Sequence, residues 1–287
     1  MQPRLSIVLL LAAAFPVCAQ LPETDLVLFN LNLNKQQQPV VSQSLQITNR
    51  AGYDNQPSFS ADEQSLYYVS VREDKQADVY VYSFKSKKTL PLTQSSESEY
   101  SPTPNPDGSL LNAVVVEKDS AQRIHYISSK DGSHIRTLAF DSVGYFTFLN
   151  RDTLAYYKLT EPHSLRYHVI SSGEDKFLAY QPVRGFKAMN RHTLVFGQKD
   201  SAQVTFYTYD FFLQKTQVYC RYPSLQEDVI WHAQLGLLKA EGSQLLRYNA
   251  LQSKWQLYLD LKSYGIKKIT RFLIDQRCKR LIVVNNT

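Results

Sequence analysis

Short runs in which apolar and polar residues alternate recur along the whole chain, at the two-residue period of half-buried strands. "SLYYVS" (65–70) is followed by "DVYVYSF" (78–84), and later come "RIHYISS" (123–129), "LRYHVISS" (165–172) and "VTFYTYDF" (204–211). The runs themselves repeat. "NRDTLAYY" begins at Asn150 and "NRHTLVFG" at Asn190, while "KDSAQ" stands at 118–122 and again at 199–203. Aligning the runs places equivalent positions near Pro57, Pro102, Tyr145, Phe186, Val229 and Arg271, with spacings of 45, 43, 41, 43 and 42. A period in the low forties with four short strands per unit is that of a β-propeller blade, which buries one side of its sheet only by stacking on the next.

Turn chemistry agrees with that period. Asp62, Asp107, Asn150, Asn190 and Asp275 each fall between the first and second strand of a unit. Their side chains accept hydrogen bonds from the backbone two residues on and so close tight turns. The fifth unit has "WHAQLG" instead, with Gly236 as the turn residue. "RFLID" and "RLIVV" supply only two strands at the C-terminus, and "DLVLFNLN" and "QSLQIT" supply two more before the first full unit. The expected fold is therefore an all-β, six-bladed propeller of four-stranded blades, the last closed by N- and C-terminal strands. Pairing the two ends removes exposed sheet edges. Two segments, "SLQEDVIWHAQLGLLKAE" and "DLKSYGIKKITRFLI", also fit a helical period; Gly236 and Gly265 interrupt them, and they are read as loop and strand.

Composition supports strands. The 287 residues include 19 Tyr and 14 Phe, and 43% are hydrophobic, enough for a core without disulfides. The net charge of +6 is interleaved along the chain instead of gathered in a stripe, which argues against nucleic acid as a partner. The first residues differ from the rest. "MQPR" is followed by the apolar "LSIVLLLAAAF" and by "VCA", so residues 1–19 are expected to be a secretory signal cleaved after Ala19. The apolar run is short of the roughly 20 residues that span a bilayer. A lipoprotein anchored at Cys18 is the lesser alternative, because Val17 suits a lipobox poorly. Residues 20–287 then form one propeller domain in the periplasm or outside the cell. Cys220 and Cys278 are placed on non-adjacent units and are expected to stay unbridged.

"QPSFSADEQSLYYVS" followed by "DVYVYSFKSKKTLPLTQSSESEYSPTPNPDGS" resembles the TolB-type propeller repeat, with Leu92-Thr93 and Asp107-Gly108 in the family's Leu-Thr and Asp-Gly places. The resemblance covers two units, roughly 53 to 135, and elsewhere reduces to periodicity. "SADE" replaces Ser-Pro-Asp-Gly in the first unit, and the last four lack the Pro. The resemblance implies a periplasmic protein of the cell envelope that binds a protein or peptide partner. The extra N-terminal domain of TolB is not expected between Gln20 and Gly52. Similar propellers accompany prolyl-oligopeptidase-type hydrolase domains, but no G-x-S-x-G elbow is present.

No metal-site, Ca²⁺-loop or phosphate-loop motif occurs, and no cofactor is implied. Of the six histidines, His125 and His168 occupy equivalent strand positions and are read as packing; His134, His163 and His192 fall in turns and loops. His232 follows Trp231 in an inner strand and could approach a central channel. Two readings result. In the first, a monomeric, non-enzymatic module binds its partner over one face of the ring. Tyr53, Tyr100 and Tyr145, each placed just before an inner strand, would form one rim, and Arg151, Arg191 and Arg277, on first-to-second strand turns, the other. In the second, an enzyme or small-ligand binder for a sugar or peptide uses the channel near His232.

Overall fold

Each alternating run is a strand in the computed structural model, which describes residues 21–36, 38–223, 227 and 229–286. The expected signal segment, residues 1–19, and with it Cys18, lies outside the described residues. In chain order the N-terminal pair is β1 (Thr24–Leu33) and β2 (Pro39–Gln46). The first full unit is β3 (Tyr53–Phe59), β4 (Ser65–Val71), β5 (Ala77–Ser83) and β6 (Lys88–Pro91). The second is β7 (Ser98–Pro104), β8 (Leu111–Val116), β9 (Gln122–Ile127) and β10 (His134–Thr137). The third is β11 (Val143–Phe148), β12 (Thr153–Lys158), β13 (Ser164–Val169) and β14 (Glu174–Tyr180). The fourth is β15 (Lys187–Asn190), β16 (Thr193–Lys199), β17 (Val204–Asp210) and β18 (Lys215–Tyr222). The fifth is β19 (Val229–His232), β20 (Gly236–Glu241), β21 (Gln244–Asn249) and β22 (Lys254–Asp260). β23 (Ile269–Ile274) and β24 (Arg280–Asn286) complete the chain.

Four of these units are separate four-stranded antiparallel sheets. The fifth sheet has eight strands in two groups, β23-β24-β1-β2 and β3-β4-β5-β6, joined through the parallel bridge of Thr24 to Tyr53. The terminal group pairs the two chain ends: Thr24–Asn30 runs antiparallel to Arg280–Asn286 in seven consecutive residue pairs. The chain is thus an all-β propeller. The innermost strands touch in a circle, β3 on β7, β7 on β11, β11 on β15, β15 on β19, β19 on β23 and β23 on β3.

The core lies between units, as stacking requires. One apolar cluster joins Leu154 and Tyr156 of the third unit to Ile124 and Tyr126 of the second. Another joins Leu165 and Tyr167 of the third unit to Phe186, Leu194 and Phe196 of the fourth. At the closure, Leu26, Leu28, Ile282 and Val284 pack on Leu66, Tyr68, Tyr80 and Tyr82. The alternating tyrosines are therefore inter-unit core. Outer strands such as β10 are exposed throughout and short, a blunted edge.

The turn acceptors work as their chemistry dictates. Asp62 Oδ1 accepts from the Gln64 amide at 3.0 Å, Asp107 Oδ1 from Ser109 at 3.0 Å, and Asn190 Oδ1 from His192 at 2.8 Å. Asn150 Oδ1 accepts from Asp152 and Thr153, both at 2.9 Å, and Asp275 Oδ1 from Lys279 at 2.7 Å. Of the two segments with a helical period, the first carries β19 and β20. The second holds one 3-10 turn, Lys262–Tyr264, ended by Gly265 at φ 81°, before β23 begins. Cys220 and Cys278 are both free thiols.

Candidate functional site

Because the inner strands ring the axis, equivalent positions of the repeat meet there. Pro57, Pro102, Tyr145, Phe186, Val229 and Arg271, the six aligned positions, all line one central cavity of about 190 Å³. Gln56 and Ser101 line it too, each at positive φ (54° and 53°) where β3 and β7 shift register against their partners. Non-glycine residues in that region are uncommon, and such strain gathers at functional positions. Here the bulges turn Gln56 inward, where its Nε2 donates to the Tyr53 hydroxyl at 3.0 Å.

The cavity is cationic. Arg184, Lys187 and Arg271 line it against a single described carboxylate, Glu227. Glu227 is already engaged, by Arg184 Nε at 3.1 Å and by the Lys199 ammonium. Lys187 is enclosed by the ring while its side chain stays exposed to the lumen; burial first, and the Arg271 charge second, pull its pKa down to about 8. Arg271 sits 5.2 Å from the centre of the Tyr145 ring. Burial alone would raise the Tyr145 phenol, but the charges of Arg271 and Arg184 nearby outweigh it and lower its pKa.

Of the three candidate tyrosines, Tyr53 and Tyr100 share one apolar cluster and Tyr145 lies apart from it, and their roles differ. All three lie within inner strands and not before them. Tyr53 is only 7% exposed and packs on Val69 and Ala77, which corrects its expected place on an open rim. Burial raises its pKa, with Arg271 opposing. Tyr100 is half-buried between the first two units, and Tyr145 alone of the three lines the cavity. Beside Tyr100, Glu99 is buried, accepting from the Thr93 hydroxyl at 2.9 Å and from that of Ser95. Burial raises its carboxyl to about 7, and Asp78 facing it is raised as well.

On the opposite face Arg151, Arg191 and Arg277 are all exposed. Arg151 Nε lies 3.5 Å from Asp107 Oδ2, a loose surface pair of little energetic weight. Arg280 is withdrawn from this face: it pairs with Asp275 at 2.9 Å, donates to the Glu63 carbonyl at 2.9 Å and stacks on Phe84. It ties the terminal group to the first full unit.

His232 requires a correction. It does not line the cavity but stands at the far end of β19, 7% exposed. Its Nδ1 accepts from the amides of Gln234 and Leu235 at 3.2 and 3.3 Å, and its Nε2 donates to the Asp275 carbonyl at 3.0 Å. It does for the fifth unit what Asn150 does for the third, with Gly236 at φ 76° completing the turn. Both ring nitrogens are committed, and the Cys278 thiol, 3.8 Å away, is raised by burial, so the pair is not an activated nucleophile. His125 and His168 are packing residues, the former 2.8 Å from Glu117 and the latter 4.5 Å from the Phe140 ring. Among the described residues no three His, Cys, Asp or Glu side chains group as metal ligands, and no helix is long and apolar enough to cross a membrane.

Sequence reasoning missed Arg184 and Lys187 and took Arg271 only as a repeat marker. Its register with Pro57, Pro102 and Tyr145 was the available signal, since one lumen-lining position in a propeller implies the rest.

No family model and no curated protein matches this chain. Solved structures do. A protein assigned as TolB from Agrobacterium tumefaciens superposes with a TM-score of 0.70 at 10% identity, over 93% of this chain and 99% of that one. TolB from Acinetobacter baumannii gives 0.60 at 11% identity over 93% of this chain, which spans 64% of the TolB chain. The gluconolactonase XC5397 of Xanthomonas campestris gives 0.63 at 10% identity, over 96% and 99% of the two chains. These likenesses are of fold, and they include TolB structures and an enzyme alike.

Proposed function

We propose that this chain is a six-bladed, exported propeller that binds a protein or peptide partner over the face carrying Tyr100 and Tyr145. The observation that carries the reading is that Tyr145, Arg184 and Arg271 line one cavity, with the Arg271 guanidinium over the Tyr145 ring, while Tyr100 is half-buried on an adjacent inner strand. Tyr and Arg are the side chains over-represented among interface anchors, and a partly enclosed setting is where they act most strongly. The similarity to TolB structures supports a binding role by analogy of fold. Export rests on the first 19 residues; a mature chain beginning at Gln20 in the envelope fraction is the corresponding observation to make.

The test is capture of a partner from envelope extract by the mature chain, followed by titration of the purified pair. Tyr100→Ala and Tyr145→Ala should each weaken binding by about 30-fold, the equivalent of a 2 kcal/mol anchor. Binding should tolerate added salt, and Arg151→Glu with Arg191→Glu should leave it intact. Loss of binding with salt and on the double reversal, with the tyrosine variants silent, assigns the partner to the arginine face and refutes this one.

A further inference from the structure

The central cavity holds positive charge that the described protein does not neutralise. Neither Lys187 nor Arg271 has a carboxylate partner among the described residues, and the Arg271 charge makes Lys187 less ready to carry its own. Two cations facing one lumen repel, and low-dielectric walls strengthen the repulsion. Two cations that share one lumen without a described carboxylate of their own would be stabilised by an anion that enters. The geometry suits one. Arg271 is held against Tyr145, which orients the guanidinium while leaving further N–H donors of its planar fork for a second acceptor. The Tyr145 phenol, with two guanidiniums nearby, is a stronger donor than an ordinary tyrosine. Lys187 lines the same lumen and is exposed there.

We propose that the channel is a binding site for the oxyanion group of a small ligand, a carboxylate or a phosphate, held between Arg271, Lys187 and the Tyr145 hydroxyl. Planar N–H forks match both groups, and charge-assisted bonds are the strong ones. The cavity limits the size: about 190 Å³ is below the 300–1,000 Å³ of typical drug-sized sites, so the ligand is of metabolite size at most. The site shares Tyr145 and Arg271 with the face proposed above, but small anions titrated into the isolated chain test it without any partner, so the two readings can fail separately.

The experiment titrates the mature chain, residues 20–287, with inorganic phosphate and separately with succinate, at constant ionic strength in sodium chloride, reading heat and melting temperature. One or both should bind saturably, with Kd of about 1 mM or tighter. Phosphate alone identifies a phosphorylated ligand, and succinate alone a carboxylate. Arg271→Gln and Lys187→Gln should each weaken binding about tenfold or more, while Arg151→Gln on the opposite face should change nothing. Lys187→Met, which keeps the length and removes the charge, should match Lys187→Gln. Without ligand, Lys187→Gln and Lys187→Met should not melt lower than the parent, because each relieves repulsion, whereas Arg271→Gln also gives up its contact with the Tyr145 ring. The proposal is overturned if neither anion binds better than chloride, if binding survives the lumen variants, or if the Lys187 variants melt lower without ligand.

Discussion

The closure of the ring depends on β1, and Phe29 tests it. Phe29 is fully buried on β1, in the cluster that also holds Phe272 of β23 and Leu281 and Val283 of β24. Truncating it to Ala leaves a cavity among residues from both ends of the chain. Phe→Ala in a core costs about 3–5 kcal/mol, a large part of the 5–15 kcal/mol that usually separates folded from unfolded states. For a chain of this size each kcal/mol moves the melting temperature by about 2–4 °C, so the expected drop is roughly 6–20 °C. Leu33→Ala is the control: the residue is 56% exposed at the end of the same strand, and its loss should cost no more than about 0.5 kcal/mol. Differential scanning calorimetry of both variants gives the comparison. A second measurement localises the effect. The Phe29 and Tyr264 rings meet edge to face with centroids 5.7 Å apart, so a double-mutant cycle between them should show a coupling of about 0.5–1.5 kcal/mol. If Phe29→Ala melts like the parent, β1 does not hold the ring shut and the pairing of the two ends has no energetic role.

Three further outcomes follow from the same structure. His232→Ala should destabilise by about 1–2 kcal/mol by stranding the Gln234 and Leu235 amides, and His232→Asn should recover most of that because asparagine closes the turn at Asn150 and Asn190; equal melting of all three proteins would contradict the turn role. Glu99 has its pKa raised from 4.5 to about 7, so the folded state binds its proton more tightly than the unfolded state does; stability should therefore fall as pH rises from 4.5 to 7 and level off above, by about 2–3 kcal/mol, and Glu99→Gln should flatten that slope in urea titrations across the range. Residues 20–287 should yield two thiols to a colorimetric reagent when unfolded without reductant, whereas in the native state Cys220, buried and pushed up to about 12, should stay unmodified; prompt labelling of both would show that the outer strand β18 opens freely.

The repeat was legible in the chain because strand and turn chemistry are local. Alternation marks a strand wherever one face is buried, and an Asp or Asn at a fixed offset closes its turn whatever lies elsewhere in the fold. That is why Asp62, Asp107, Asn150, Asn190 and Asp275 could be placed from the chain alone, and why two orphan strands at each end implied closure. The site depends on something else. Which residues face the axis is set by how the units stack, and the bulges that turn Gln56 and Ser101 into the lumen leave no mark in the hydrophobic pattern. His232 looked like a channel residue by sequence position, yet the missing Asp in its turn drew its ring into backbone hydrogen bonds at the far end of the strand. Tyr53 and Tyr145 were grouped as one rim, yet Tyr145 stands at the repeat position of Pro57 and lines the lumen, while Tyr53, four residues earlier in its unit, packs in the core. Arg184, Lys187 and Arg271 are scattered over nearly ninety positions, and their charges become one field only when the ring closes around them.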